Sequence, residues 1–422
     1  MPLPPSELLA GTEPAPAAGG WRLGFRALRH RNFRLFIVGQ LVSLVGTFMQ
    51  TAAQGWLVWG MAHSEWLLGA VWFCSQIPVF VLAPIGGLVA DRYSRHRVVI
   101  ATQTLLMLQA FALAALKLSG RVQVWHVLVL ATFLGVVNAF DMPGRQSLLI
   151  QMTGKEDLLS AISLNSAMFN SARVVGPSVA GLVVAAVGEG RCFLFNGISF
   201  LAVIAALAAM RLPRFVRGPI APPWQHLVDG FRYVRGAAEI RTLLLMVGTS
   251  AICTMPAMVL MPVFADAVFH RGPRGLGFLM GAMGIGAVVG TLALARRTRT
   301  AGLTEVIFWG AVILGAAFIA FASSTSFYVA LVVMTAAGFA VMRQNASANT
   351  LIQTLVPDDY RGRIMALYAM TVVGVGPFGS LAAGALAGRI GARWTLAVSG
   401  MLILIIAAVF RNQVRRLAGS FK

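Results

Sequence analysis

Charged residues are scarce in this chain of 422 residues, where they make up 11% of the total. Ordinary soluble proteins contain about 25% charged residues. Acidic residues are the scarcest, with 14 against 34 basic ones, while hydrophobic residues reach 58%. The composition argues against a soluble globular domain and indicates a protein that lies mainly in lipid.

Cysteine is also rare, and Cys74, Cys192 and Cys253 lie in or beside apolar runs without CxxC spacing. This excludes a disulfide framework, and the sequence predicts no metal site and no cofactor. It contains no G-x-x-x-x-G-K-[ST] phosphate loop, no H-E-x-x-H and no G-x-S-x-G. We therefore expect neither nucleotide hydrolysis nor an integral membrane enzyme.

Long apolar runs are what the chain has in abundance. A run of about 20 residues can cross a hydrocarbon core as a helix. Twelve such spans are predicted, at 33–60, 66–90, 98–118, 124–146, 160–187, 192–211, 242–268, 275–295, 303–322, 327–350, 363–388 and 394–411. The predicted class is an all-α membrane protein.

The second half of the chain repeats landmarks of the first about 200 residues later. The repeated landmarks pair Gly87 with Gly290, 149–151 with 351–353, Gly176-Pro177 with Gly376-Pro377, and Gly188 with Gly391. Many secondary transporters are built from such repeats and bind their cargo where the halves meet. The duplication predicts two pseudo-symmetric six-helix bundles.

These features divide the chain into five segments. Residues 1–24, rich in Pro, Ala and Gly, are predicted to be a disordered tail. The remaining segments are a bundle at 25–212, a linker with a short interfacial helix at 213–238, a bundle at 239–416, and a tail at 417–422.

Most of the basic residues fall in short segments on one side of the predicted spans. Because lysine and arginine in short loops favour the cytoplasm, both termini are expected there. The net charge of +20 could also indicate a nucleic-acid partner, but the arginines are divided among loops and form no continuous basic face. We expect no nucleic-acid partner.

The loop after the second span carries a recognisable motif. Residues 87–97, GLVADRYSRHR, resemble the loop signature G-x-L-A-D-R-x-G-R-R of the major facilitator superfamily, with Val89 and Ser94 as departures. The resemblance implies a latch between the halves on the cytoplasmic side when the cavity opens outward, formed by Gly87, Asp91, Arg92, Arg95 and Arg97. The alternative is a topology anchor only. The matching loop of the second half, Gly290 to Arg299, has Leu294 at the position that corresponds to Asp91. A second latch is therefore expected to be degraded.

Four further segments, at 31–36, 54–58, 140–146 and 165–177, resemble the enterobactin-exporter-like branch of that superfamily. Gly176 and Pro177, with Gly181, also resemble its antiporter signature, and Gly376 and Pro377 repeat the pair in span eleven. The resemblance implies a monomeric exporter of siderophores or drugs in the bacterial inner membrane, working by proton antiport. It also implies that spans five and eleven bend or pack closely. A channel or a sensor is the rival from another class.

Polar residues inside the spans are candidates for a substrate cavity. On span one, Gln40, Thr47, Gln50 and Gln54 recur at helical spacing, which favours either a cavity wall or hydrogen bonds to neighbouring helices. The other polar candidates for the cavity are Asn138, Asn165, Asn170, Arg343 and Asn345.

Charges at membrane depth are few, namely Asp141, Arg145, Arg173 and Arg343. Asp141 and Arg145 are four residues apart, the spacing of an ion pair on one helix face. Asp141 either carries the coupling proton, with Arg145 or Arg173 as exchange partner, or only neutralises an arginine. If the arginines face the cavity, the cargo is expected to be an anionic or polyhydroxylated molecule. If they do not, lipophilic cations remain candidates.

Overall fold

The computed structural model describes residues 25–154, 156–211, 231–295 and 302–419. All regular secondary structure in these ranges is helical, and twelve helices within them are long and apolar enough to span a membrane. The predicted all-α membrane class and the twelve spans are confirmed. The predicted tail at 1–24 lies outside the described residues, as do most of the predicted linker and residues 420–422 of the predicted tail at 417–422.

The first bundle consists of six helices joined by short connections. They are α1 (Arg31–Ala62), α2 (Glu65–Arg92), α3 (Arg95–Leu118), α4 (Val124–Thr153), α5 (Leu158–Val187) and α6 (Glu189–Ala208). Such short connections make consecutive helices antiparallel. We call the end of the molecule where α1 begins the termini side, and the other end the far side.

The second bundle repeats this arrangement with α7 (Ala238–Val259), α8 (Gly272–Ala295), α9 (Leu303–Ser323), α10 (Phe327–Leu355), α11 (Asp358–Ala369 and Gly376–Ile390) and α12 (Ala392–Gly419). Matching glycines end equivalent helices. Gly188 after α5 and Gly391 after α11 have φ values of 81° and 84°, a conformation that glycine adopts without strain. The duplication read from the sequence is therefore present in the backbone.

Several helices extend beyond the apolar runs that predicted them. The fourth span was predicted to end at residue 146, but α4 continues to Thr153, and α10 continues to Leu355 instead of 350. Backbone hydrogen bonds do not stop at the edge of the hydrocarbon core, so polar residues carry the helices past the apolar limit.

Two helices of the second bundle are interrupted. α7 continues through a short turn, Met261–Val263, into a π-helical turn at Phe264–Val268. α11 contains a π-helical segment, Met370–Gly374, directly before Gly376 and Pro377 begin its second part. In α5, by contrast, Gly176 and Pro177 lie inside one continuous helix. A bend or close packing was expected at both glycine-proline pairs, and the helix is broken at the second pair only.

A short 3₁₀ segment before α1, Arg26–Arg29, is tied to the loop before α5. The Asp157 carboxylate, with a side chain only 1% exposed, accepts from His30 at 2.8 Å and forms ion pairs with Arg29 at 2.7 Å and Arg26 at 3.3 Å. The backbone N–H of Ala27 donates to Ser160 Oγ at 3.1 Å. The hydrogen bond from His30 and the two arginines lower the pKa of Asp157, although burial opposes the shift.

We expect Asp157→Asn to release this segment. A carboxyl group whose pKa is lower in the folded protein contributes stability above its unfolded pKa of about 3.9, and this is lost as pH falls through the lower folded value. The tie should therefore be present at pH 5 and above. Hydrogen exchange of the peptide 25–34 should be faster in Asp157→Asn than in the parent protein at pH 7.

Glu156→Gln provides the matched control, because Glu156 is 86% exposed and reaches Arg29 only at 3.9 Å. Its exchange rate should equal that of the parent. Equal rates in both variants and the parent would show that Asp157 does not hold the segment.

Candidate functional site

The two bundles meet through backbone contacts near the far side. A Cβ added at Gly69 of α2 would lie 2.5 Å from the Ser380 carbonyl oxygen and 2.9 Å from the Gly384 Cα of α11. The symmetry-related pair is Gly181 of α5 and Gly277 of α8, where an added Cβ would lie 2.9 Å from the opposing Cα. Each helix pair therefore crosses at a position where only glycine fits.

A polar contact joins the bundles at the same level. The Trp59 indole Nε1 at the end of α1 donates to Asp266 Oδ2 in the π-helical turn after α7, at 2.9 Å. One turn earlier on α1, an added Cβ at Gly55 would lie 3.5 Å from Pro262. The sequence predicted close packing of spans five and eleven but not the partners of these contacts. Gly181 and Gly384 lie 203 residues apart, which matches the repeat offset.

Between α5 and α8 the contact is lost toward the termini side. Gly181, Val174 and Ala167 are seven residues apart and share one face of α5. Gly181 packs on Gly277, and Val174 packs on Gly284, where an added Cβ would lie 3.0 Å from the Val174 Cα. Ala167, one step closer to the termini side, is exposed.

The same divergence occurs between α2 and α11. The rings of Phe73 and Phe80 lie 6.4 and 6.0 Å from that of Phe378. Gly87, seven residues after Phe80, would meet no atom within 4 Å if a side chain were added. The bundles thus touch over the far half of the molecule and separate over the termini half, which leaves a space open to the termini side.

Arg173 of α5 faces the interior of the molecule near this space. It shares a helix face with Pro177 and Val184, which are buried, whereas Val175 and Leu182 on the opposite face are 44% and 53% exposed. Arg173 lies between the face that packs on α1 at Gly176 and the face that packs on α8 at Gly181. No carboxylate among the described residues forms an ion pair with it, and it does not contact Asp141.

The four asparagines that were candidates for the cavity lie on α5, α10 and α4, and the hydrogen bond given for Asn345 involves its backbone. Asn170 Nδ2 donates to the Ser166 carbonyl of its own helix at 2.9 Å, and Asn165 is partly buried. On α10, the Asn345 carbonyl accepts a hydrogen bond from the Tyr368 hydroxyl at 2.7 Å. Asn138 on α4 is partly buried.

The polar stripe of α1 serves mainly packing within the first bundle. Gln50 Nε2 donates to Gln109 on α3 at 2.9 Å, and Gln50 Oε1 accepts from Asn196 on α6 at 2.8 Å. Gln40 and Gln54 are 2% and 9% exposed. Of the two alternatives left open for Gln50, the structure therefore shows interhelical hydrogen bonding. Thr47 is only partly buried, and its hydroxyl donates to the Ser43 backbone carbonyl at 2.9 Å, so it is the member of the stripe that remains a candidate for a cavity wall.

Asp141 is fully buried between α3 and α4. Its Oδ1 accepts from Thr102 Oγ1 at 2.7 Å and from Gln103 Nε2 at 2.9 Å. Its Oδ2 lies 2.6 Å from Arg145 Nε, an ion pair whose geometry is not that of a hydrogen bond. The geometry brings Asp141 together with Arg145 and not with Arg173.

Arg343 lies away from the space between the bundles. It lines a groove of about 300 Å³ between α9 and α10 together with Glu305, Trp309 and Phe339. Trp309 is 56% exposed, and the Arg343 guanidinium lies 5.1 Å from the Phe339 ring centre. Arg343 was expected to face the cavity, but the structure places it on the outer surface of the second bundle. Asp141, at the repeat-related position of the first bundle, is instead fully buried against α3.

The residues of the expected latch lie at the end of α2 and the start of α3. Arg92 and Arg97 are exposed, and Arg95 Nε donates to the Ala90 carbonyl at 3.4 Å. The side chain of Asp91 lies outside the described residues. The role of these residues as a latch therefore stays a prediction.

The chain resembles known families and proteins along nearly its whole length. The family model described as "transmembrane secretion effector" matches residues 23–419. The multidrug efflux pump Tap of Mycolicibacterium fortuitum is 29% identical over 402 residues, which cover 91% of this chain and 96% of Tap. The enterobactin exporter of Shigella flexneri is 24% identical over 408 residues, covering 93% and 96%.

The fold has solved counterparts. A bacterial homologue of the iron transporter ferroportin, crystallised in an inward-facing state, superimposes with a TM-score of 0.70 at 18% identity. The match covers 91% of this chain and 98% of that one. At this identity the likeness concerns the fold alone.

We expect Gly384→Ala to open the far side. The added Cβ would lie 2.7 Å from the Glu65 carbonyl oxygen and 3.0 Å from the Gly69 Cα, and neither backbone atom can move unless α2 and α11 separate. Spin labels on Arg121 and Thr325, in exposed far-side loops of the two bundles, should show a longer distance by several ångströms. The labels require a background in which the three cysteines are replaced by alanine.

Gly388→Ala is the control, because a Cβ one turn further along α11 would meet no atom within 4 Å. Its label distance should equal that of the parent. An unchanged distance in Gly384→Ala would show that the glycine contact does not hold the far side closed.

The Asp141–Arg145 pair can be tested by a double-mutant cycle on thermal unfolding of the purified protein. Asp141→Asn leaves Arg145, whose side chain is 20% exposed, without its counter-ion. Breaking such a pair costs on the order of 3–5 kcal/mol when it is buried, so unfolding should begin at a lower temperature. The double variant with Arg145→Met should recover part of the loss. Additive losses would mean that the two side chains do not stabilise each other.

Proposed function

We propose that this chain, which belongs to the family of transmembrane secretion effectors within the major facilitator superfamily, exports a small organic molecule from the bacterial cytoplasm. The protein is a multi-pass membrane transporter of that superfamily and not an enzyme. Export, alternating access and exchange for protons are the parts that we propose beyond this.

One observation carries the proposal. The bundles touch through glycine pairs on the far side and diverge toward the termini side, with Arg173 on the interior face of α5. A carrier that works by alternating access needs a closed end and an open end that can exchange roles around one central site. The short arginine-rich segments favour a cytoplasmic termini side. In the conformation seen here, the protein would then receive cargo from the cytoplasm.

The direction of transport is supported by the relatives. One is named a multidrug efflux pump and another an enterobactin exporter, and the matching family is described as secretion effectors. Gly176, which resembles part of an antiporter signature, packs on α1, where an added Cβ would lie 2.9 Å from the Val45 carbonyl oxygen. Close packing here fits the expected role of this segment in switching.

The cargo that fits best is an anion, such as a siderophore-like molecule. Three arginines were candidates for a cationic cavity, but Arg145 is paired with Asp141 and Arg343 faces outward. Arg173 remains, and a guanidinium binds carboxylate or other anionic groups well at low dielectric constant. Because a single cation gives a weaker preference than three, export of lipophilic cations remains the second candidate.

Proton exchange would supply enough energy for export. One elementary charge that crosses a potential of about 100 mV releases about 2.3 kcal/mol. A tenfold gradient costs about 1.4 kcal/mol, so one net charge supports a concentration ratio of about 40. Asp141 is buried and its carboxylate is hydrogen-bonded, which fits a structural ion pair better than an exposed proton carrier. It is also the one acidic residue in α4, which keeps it as the candidate proton carrier.

We expect Arg173→Gln to impair transport of an anionic cargo. Cells that lack the gene should retain the cargo that the parent strain secretes, and comparison of the two secreted metabolite pools identifies it. In proteoliposomes, loss of one charge-assisted hydrogen bond should raise the apparent KM about tenfold. Arg173→Lys keeps the charge and should recover part of the affinity.

Counterflow in the same proteoliposomes separates a carrier from a channel, because only a carrier exchanges labelled for unlabelled cargo through a saturable site. Arg343→Gln is the matched control and should leave KM unchanged. Equal effects of the two substitutions, or selective sensitivity of the deletion strain to cationic dyes, would contradict an anionic cargo.

A further inference from the structure

A groove runs along the outer surface of the first bundle between α1 and α6. Its volume is about 630 Å³, and its uncharged wall is formed by Leu35, Val38, Gly39, Val42, Ala202, Ala205, Ala206 and Ala209. Val38 and Val42 are 65% and 47% exposed. The groove exists because α6 presents alanines at helical spacing where larger residues would fill the surface.

Three arginines surround the end of this groove on the termini side. Arg31 and Arg34 line it directly, and Arg31 also lines an adjoining pocket of about 510 Å³ together with Arg211. Asn32 fixes this corner, since its Nδ2 donates to the Arg211 carbonyl at 2.8 Å and its Oδ1 accepts from the Arg211 N–H at 3.3 Å. Arg31 Nη1 donates to the Ala209 carbonyl at 3.4 Å.

The charge of these arginines is not balanced within the part of the chain that the structure describes. None of the three forms an ion pair there, whereas the neighbouring Arg26 and Arg29 both pair with Asp157. Four of the eight uncharged lining residues are alanines, and the lining of the groove includes no acidic residue. A cationic end and an apolar wall at the membrane boundary match the two parts of a phospholipid.

We propose that this groove binds an anionic phospholipid, with its phosphate between Arg31, Arg34 and Arg211 and an acyl chain along the alanines of α6. A zwitterionic lipid would bring its own cation next to three arginines. An anionic head group leaves the phosphate charge to balance them, as in other basic pockets beside membrane helices. The site is separate from the space between the bundles, so it does not depend on the identity of the cargo.

Native mass spectrometry of the full-length protein measures this binding, with cardiolipin and phosphatidylglycerol as the anionic probes and phosphatidylcholine as the neutral one. Each arginine near an anionic lipid contributes about fivefold to affinity. The variant Arg31→Gln/Arg34→Gln/Arg211→Gln should therefore lose affinity for the anionic probes by on the order of 100-fold. Arg411→Gln, at an exposed position of α12, is the charge control and should retain it.

A second variant tests the acyl groove with all arginines present. Ala205→Phe should fill the groove and reduce cardiolipin retention about tenfold, whereas Ala208→Phe on the same helix is exposed outside the groove and should not. Inorganic phosphate at millimolar concentration should fail to displace the lipid. Displacement by phosphate, equal retention of phosphatidylcholine, or equal effects of Ala205→Phe and Ala208→Phe would overturn the proposal.

Discussion

The architecture depends on the approach of two pairs of helix backbones at one end of the molecule. Where α2 crosses α11 and α5 crosses α8, glycine faces glycine, and any side chain would separate the helices. Backbone contact at this level fixes the far side as closed. Because straight helices that touch at one end diverge at the other, the same contact determines that a space opens toward the termini side and that residues such as Arg173 lie beside it.

The sequence predicted those features that depend on local spacing or on composition. The twelve spans follow from apolar length, the repeat follows from matching landmarks, and the Asp141–Arg145 pair follows from a separation of four residues on one helix. The sequence did not predict which neighbouring helix each polar side chain contacts. Gln50 bonds Gln109 and Asn196, which lie 59 and 146 residues away, and periodicity along α1 contains no information about either partner.

The two halves share a backbone plan but differ where movement is expected. In the first bundle, Gly176 and Pro177 lie within a continuous α5 and pack against α1. In the second, the equivalent pair follows a π-helical segment of α11, and α7 is interrupted as well. π-helical turns leave backbone groups less regularly bonded and often occur at functional positions. The helices of the second bundle next to the interface are therefore interrupted in their backbone hydrogen bonding, whereas α5 of the first bundle is continuous.

The scarcity of acidic residues determines how the buried charges can be balanced. Three aspartates each make one structural connection: Asp141 joins α4 to α3, Asp157 ties the segment before α1 to the loop before α5, and Asp266 joins the bundles through Trp59. None of them contacts Arg173. A cation beside a cavity that receives no carboxylate from the described protein is balanced most readily by a ligand, because an isolated charge at low dielectric constant is costly. On our proposal that ligand is the cargo, and its release on the far side would leave Arg173 again without a counter-ion, which favours return of the empty carrier to the state that can load from the termini side.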